Sequence, residues 1–151
     1  MAISTRDHLD IVATCTRMAW HADRREWDEL ADVFADEVLV DYTSLNGGEP
    51  AVLAPADIVT AWTAALGGFD ATQHLLTNHL VSGGDDEAVC TAAFQASHHL
   101  SDPLGSSAWV LGGTYRFDLV RTGAGWRIRG VVMTATWATG NKDLLAKAAA
   151  R

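Results

Sequence analysis

Of the six histidines in this chain, two stand where a neutral imidazole could move a proton. His74 lies in the run Ala71 to Val81, rich in β-branched and apolar residues and free of Pro and Gly. Gly67-Gly68 precedes the run and Ser82-Gly83-Gly84-Asp85 follows, so it reads as a strand. Residues two apart on a strand share a face, which sets His74 with Leu76, Asn78 and Leu80. An imidazole among apolar side chains stays neutral and proton-accepting, as general acid–base catalysis requires. The competing reading is a core or rim histidine with a satisfied hydrogen bond and no chemistry. The tandem His98-His99 closes a second strand pattern, Asp85 to Leu100, in which Ala92, Phe94, Ala96 and His98 share one face. Adjacent strand residues face opposite ways, and the apolar company favours His98 as the inward one.

An acid and two phenols could complete such a site. At about 100° per residue, Asp23 falls roughly 40° from Leu9 on a helix, on its inward side. A buried carboxylate needs a partner, and Asp23 beside His98 would fix that ring's tautomer, leaving His74 as the second acid or base. Alternatively the helix stops earlier and Asp23 caps the next one in solvent. Tyr42 ends the apolar row Val38, Val40, Tyr42, or is a rim tyrosine. Tyr115 shares a face with Trp109, Leu111, Gly113 and Phe117. Asn78 and Tyr115 are expected to hold substrate, with Phe94, Trp109 and Trp62 as aromatic walls. Together these residues describe proton transfer without a cofactor.

Other chemistries lack their residues. The chain has no G-x-S-x-G, Walker, H-E-x-x-H or C-x-x-C sequence, and His74 and His79 are expected on opposite faces, so neither a nucleotide nor a metal is expected. Arg116 and Asp118, two apart on one strand, read as a surface ion pair. The net charge of −8 opposes nucleic acid, and no apolar run approaches the roughly 18 residues of a membrane span. The N-terminus does not resemble a signal peptide. Cys15 and Cys90 read as small core residues, and their scarcity favours the cytoplasm.

The elements that must position these groups follow from periodicity. A first helix opens at Ser4 or Thr5 and is expected to bury Leu9, Val12, Ala13, Thr16, Ala19 and Trp20. A second, Arg24 to Phe34, buries Trp27, Leu30, Ala31 and Phe34. A short strand, Val38 to Tyr42, leads into a loop, Thr43 to Ala54. A third helix from Pro55 turns Ile58, Val59, Trp62 and Leu66 inward and stops at Gly67-Gly68. Three long strands, Asp85 to Leu100, Ser107 to Arg121 and Gly125 to Trp137, form an antiparallel meander, with Gly112, Gly113 and Gly130 fitting the kinks of a curved sheet. Asn141 caps a short last helix carrying Leu144, Leu145 and Ala148. The plan for residues 1–151 is one α+β domain, three helices on the concave side of a curved sheet. Strand alternation puts Val110, Val131, Met133 and Trp137 on the outer face, an apolar area that predicts a homodimer or homotrimer.

The series Asp23, Glu26-Trp27-Asp28, Asp41-Tyr42, Thr72-Gln73-His74, Ser97-His98, Trp126-Arg127-Ile128 and Trp137-Ala138-Thr139-Gly140 resembles the scytalone dehydratase branch of the SnoaL-like, NTF2-like superfamily. The resemblance runs from about Trp20 to Lys147. It implies a cone-shaped α+β barrel and a cofactor-free dehydratase (lyase) or isomerase acting on a small, apolar, cyclic ketone or hydroxy-ketone. It also implies roles: Asp23 as dyad carboxylate with His98, His74 as second acid–base group, and Tyr42 as the hydroxyl that polarises the carbonyl. Where the family has a tyrosine before the aspartate this chain has Ala22, and Gly113 and Tyr115 replace a serine and an asparagine, so the reaction type carries over better than the substrate. The alternatives on this fold are a binding domain without catalysis, a polyketide cyclase or an epoxide hydrolase.

Overall fold

The computed structural model describes residues 2–102 and 104–151. In chain order the elements are α1 (Thr5–Arg24), α2 (Trp27–Ala31), β1 (Phe34–Asp41), α3 (Thr43–Asn46), β2 (Ala51–Leu53), α4 (Pro55–Leu66), β3 (Ala71–Gly83), β4 (Glu87–His99), β5 (Ala108–Thr122), β6 (Gly125–Gly140) and α5 (Leu144–Ala149). One six-stranded sheet runs β2-β1-β6-β5-β4-β3. All neighbours are antiparallel except β1 and β6, so the sheet is mixed, as the α+β plan allows. It curves without closing, and β2 and β3 are its two free edges.

Helix α1 starts where Ser4 accepts a hydrogen bond from the Asp7 backbone N–H, an N-cap that satisfies one orphan donor. The Asp7 carboxylate is held down to about 2 by the Trp126 indole N–H, the Ser4 hydroxyl and Arg121, which staples the first turn to β6 and its hairpin. At the other end Arg25 adopts a left-handed conformation (φ 57°), and Glu26 N–H reaches back to the His21 carbonyl at 3.0 Å. A non-glycine residue there costs energy. The Arg25 guanidinium offsets it by donating to the Leu66 and Phe69 carbonyls beyond α4. This fixes Asp23 in the last helical turn.

The buried stripe of α1 is Ile11, Cys15, Met18 and Ala22, with Thr14 and Ala19; of the stripe expected from periodicity only Ala19 is buried. Leu9 and Trp20 are 64% and 57% exposed, and Thr16 is exposed too. The sequence carries two overlapping apolar stripes, and the sheet accepts the one with slimmer side chains; the displaced Trp20 ring lies under the Arg24 guanidinium at 5.3 Å. The expected Arg24–Phe34 helix shortens to five residues, because Arg25 ends α1 and Phe34 opens β1. The expected loop after Tyr42 contains the short α3 and β2.

The core lies between the helices and the concave face, around Phe117, Ile11, Leu30, Ile58, Leu119 and Ile128, all fully buried. Each such side chain stabilises the fold by about 1.5–3 kcal/mol. Two register shifts bend β5 against β6, one between Gly112 and Gly113, the other between Asp118 and Leu119 opposite Gly130. At Gly113 a Cβ would sit 1.9 Å from the Thr134 carbonyl oxygen, so only glycine admits this close approach. The second shift also turns Val131 and Met133 inward, where they are 0% and 2% exposed, against the expected outer placement. Trp137 stays outside, lying over Gly112.

Candidate active site

Concave strand faces, α1 and α4 enclose a cavity of about 280 Å³, at the low end of the range of ligand sites. Its walls are Met18, Trp62, Leu66, Phe94, Trp109, Leu111 and Met133, and its polar lining includes Tyr42, His74, His98 and Tyr115. Among the described residues no Lys or Arg borders it. A larger surface hollow of about 570 Å³ is lined by Asp70, Asp102, Lys147 and Arg151. There Lys147 already pairs with Asp102 at 2.7 Å and Arg151 with Asp70 at 2.9 Å, which leaves no charge free for a ligand.

Asp23 faces His74, not His98. Its Oδ1 accepts from His74 Nδ1 at 2.7 Å and from the Thr72 hydroxyl at 3.0 Å, while Oδ2 accepts the His74 backbone N–H at 2.7 Å. The helix explains the exchange. Asp23 lies about 110° round α1 from the centre of the buried stripe, on a flank, so it reaches edge strand β3 instead of the middle of the sheet. An edge strand carries unpaired N–H groups, and the carboxylate caps one of them. A carboxylate at the negative end of a helix dipole is otherwise poorly placed, so these donors hold it against that field.

Because a carboxylate only accepts, the proton on His74 belongs to Nδ1, and in the neutral ring Nε2 carries the lone pair. His98 is 4% exposed and fixed the same way: its Nδ1 donates to the Trp109 carbonyl at 3.2 Å, across the register pair His98–Trp109. Burial, assisted by the neighbouring His74, pushes the His98 pKa down to about 4. Its Nε2 is therefore bare at neutral pH, and the dyad with Asp23 expected of His98 is made by His74 instead. On β3 and β4 the two rings are diagonal neighbours, with Thr72 opposite His98 and His74 opposite Ala96, and their centroids are 5.9 Å apart. His99 is exposed, as alternation requires.

The Tyr42 and Tyr115 hydroxyls meet at 3.2 Å. Burial pushes Tyr115 up to about 12, helped by the Asp23 charge, and Tyr42 well above 10, so both phenols stay protonated donors. The Phe94 ring packs on Tyr115 at 4.7 Å. Tyr42 leans on Trp62 at 6.0 Å.

The structure thus brings Asp23, His74, His98, Tyr42, Tyr115, Phe94, Trp109 and Trp62 to one region. It does not bring Asn78. A register shift between Thr77 and Leu80 puts Asn78 in a left-handed conformation (φ 57°), exposed, with Leu80 73% exposed beside it. Asn tolerates that conformation better than other residues with a side chain, a signal that strict alternation overrides. Arg116 and Asp118 form the surface ion pair expected, at 2.9 Å. Among the described residues no three metal-ligating side chains gather.

Thr72 has no role of its own in the sequence reading although it sits two residues before His74, on the same face. Its hydroxyl holds Asp23 in the orientation His74 needs. Replacing Thr72 by Val should lower His74-dependent turnover about 10-fold, the scale of one hydrogen bond to a charged group. Thr72→Ser should restore most of it; equal rates in wild type and Thr72→Val would remove the residue from the site.

A curved α+β sheet holding a half-buried Asp–His pair and a phenol pair in an apolar cavity defines the cone-shaped class of small-molecule folds typified by the NTF2-like superfamily. The SnoaL-like domain model matches residues 4–132, and the chain belongs to that family. It is similar to the Kfla4162 protein of Kribbella flavida at 32% identity, over 94% of this chain and 97% of that one, with TM-score 0.87. A provisionally named scytalone dehydratase of Novosphingobium aromaticivorans is 20% identical over 91% and 92% of the two chains, TM-score 0.77. A type 2 hexachlorocyclohexane dehydrochlorinase (LinA) is 15% identical over 91% and 93%, TM-score 0.74. At these last two identities the likeness is one of fold. No curated protein matches the chain.

Proposed function

We propose that this protein is a cofactor-independent lyase of the dehydratase kind, or an isomerase, acting on a small, neutral, cyclic ketone or hydroxy-ketone. The observation that carries the reading is the Asp23–His74 pair, its bare Nε2 at one cavity that also holds two protonated phenols. His74 Nε2 takes the proton next to the carbonyl, and Asp23 stabilises the imidazolium. The enolate oxygen receives a hydrogen bond from the Tyr42–Tyr115 pair. In an elimination the imidazolium then returns its proton to the leaving hydroxyl; in an isomerisation it returns it to carbon. With no Lys or Arg among the described residues lining the cavity, phosphorylated or carboxylated substrates have no cationic partner there. Structural neighbours named for dehydration and dehydrochlorination share this fold, which supports an elimination without choosing the leaving group. The test is α-proton exchange of cyclic ketones in D₂O, followed by NMR with wild type and His74→Ala.

We also infer self-association and a cytoplasmic location, the latter on two unpaired, buried cysteines. Leu75, Gln95, Gly112 and Trp137 form one row across four strands of the outer face, and Leu75 and Trp137 are each 48% exposed. Sedimentation should show a dimer or trimer at micromolar concentration; a monomer that persists there would refute it.

A further inference from the structure

In their neutral forms two imidazoles present lone pairs to the same apolar cavity. His74 Nδ1–H is consumed by Asp23 at 2.7 Å and His98 Nδ1–H by the Trp109 carbonyl at 3.2 Å. Among the described residues neither Nε2 has a protein partner, and both rings line the cavity. A proton abstraction needs only one base. Two acceptors side by side, with centroids 5.9 Å apart, suit a molecule that donates twice. A small molecule that donates two hydrogen bonds of about 2.8–3.0 Å is the kind of ligand such a pair of acceptors takes. Water is the smallest double donor.

We propose that His74 and His98 clamp a water molecule as paired acceptors and that the cavity thereby catalyses a second reaction, hydrolysis of small neutral esters and lactones. With both water protons engaged, the oxygen lone pairs face the apolar chamber as a nucleophile. The water oxygen forms a bond to the carbonyl carbon while His74 Nε2 takes one of its protons, leaving a tetrahedral oxyanion. The Tyr42–Tyr115 pair donates to that oxyanion. The C–O bond to the alkoxide then breaks, and the His74 imidazolium returns the proton to the departing oxygen, giving acid and alcohol with nothing else consumed. Among the described residues no Ser, Thr or Cys lines the cavity, so attack by water is direct and no acyl-enzyme on such a residue forms. The absence of a lining Lys or Arg among the described residues restricts the substrates to uncharged ones. The inference shares the cavity, His74 and the phenol pair with the reading above, but it adds a requirement for His98 that proton exchange at carbon lacks.

Dihydrocoumarin, an uncharged aromatic lactone, is the probe. Wild type should open it faster than the buffer blank and faster than free imidazole at equal concentration. In ¹⁸O-water the product carboxylate should carry a single label, and hydroxylamine should trap no acyl-enzyme. His98→Asn keeps an N–H to donate to the Trp109 carbonyl while deleting the acceptor, and circular dichroism confirms its fold. It should lose hydrolysis at least 10-fold more than it loses α-proton exchange of 2-tetralone. Should His98→Asn misfold, His98→Phe, an aromatic ring without a hydrogen-bonding atom, takes its place. A rate equal to the blank, equal losses in both assays, or a trapped acyl-imidazole overturns the proposal. If hydrolysis fails while exchange persists, only this inference falls; if exchange fails while hydrolysis persists, the elimination reading falls instead.

Discussion

His74→Ala should reduce α-proton exchange or elimination by about 10³-fold or more, and Asp23→Asn should do nearly as much with the fold intact. A positioned general base contributes about 10²–10⁴-fold. Alanine at position 74 removes that base and leaves Asp23 with fewer of its donors. The asparagine variant tests a different property. An Asn amide in place of the carboxylate can present N–H to His74 Nδ1, which forces that nitrogen to accept and moves the ring proton to Nε2. The base is then present but capped on its working side, the same tautomer fault that disables an Asp–His pair in serine proteases. The measurement is turnover together with long-range ¹⁵N shifts of the His74 ring. Wild type should show the proton on Nδ1 and Asp23→Asn on Nε2. Full activity in either variant would show that the pair is structural.

How far the sequence discloses this site depends on which forces act locally. The inward row of β4, the exposed His99, the Pro55 start of α4 and the aromatic walls follow from period and turn chemistry, and the structure agrees. Three features escape because they depend on partners distant in the chain. Helix α1 offers two apolar stripes, and only the sheet decides that Ile11, Cys15, Met18 and Ala22 go in. That choice rotates Asp23 to a flank and hands it to β3, which a helical wheel centred on Leu9 cannot reveal. The bulges at Asn78 and Gly130 reverse strand alternation, so Asn78 leaves the cavity and Val131 and Met133 enter the core. The composition of the site survives these shifts better than its pairing does. Proton-transfer groups are drawn from inward positions near bends, and bends move neighbours by one residue without changing which residue types lie inside.

Acid should destabilise the folded protein in a window that belongs chiefly to His98. Its folded pKa is about 4 against 6.5 for the free side chain, with burial as the main cause. Between those values the unfolded chain binds a proton that the native one refuses, so stability is complete above pH 6.5 and is lost as pH falls toward 4. A gap of this size corresponds to roughly 3 kcal/mol, a large share of a small domain's total stability. His79, whose pKa burial also lowers, adds to the same window. Carboxylates act elsewhere: Asp7, held down to about 2, keeps its contribution above the ordinary 3.8 and loses it only in stronger acid. Urea denaturation at pH 7 and pH 4 separates these groups. Wild type should lose roughly 3 kcal/mol more than His98→Asn, which has no imidazole to protonate at that position but keeps a donor for the Trp109 carbonyl. Parallel losses in the two proteins would mean that the imidazole is solvated at low pH, and that the lone pair it turns toward the cavity is not kept free by burial.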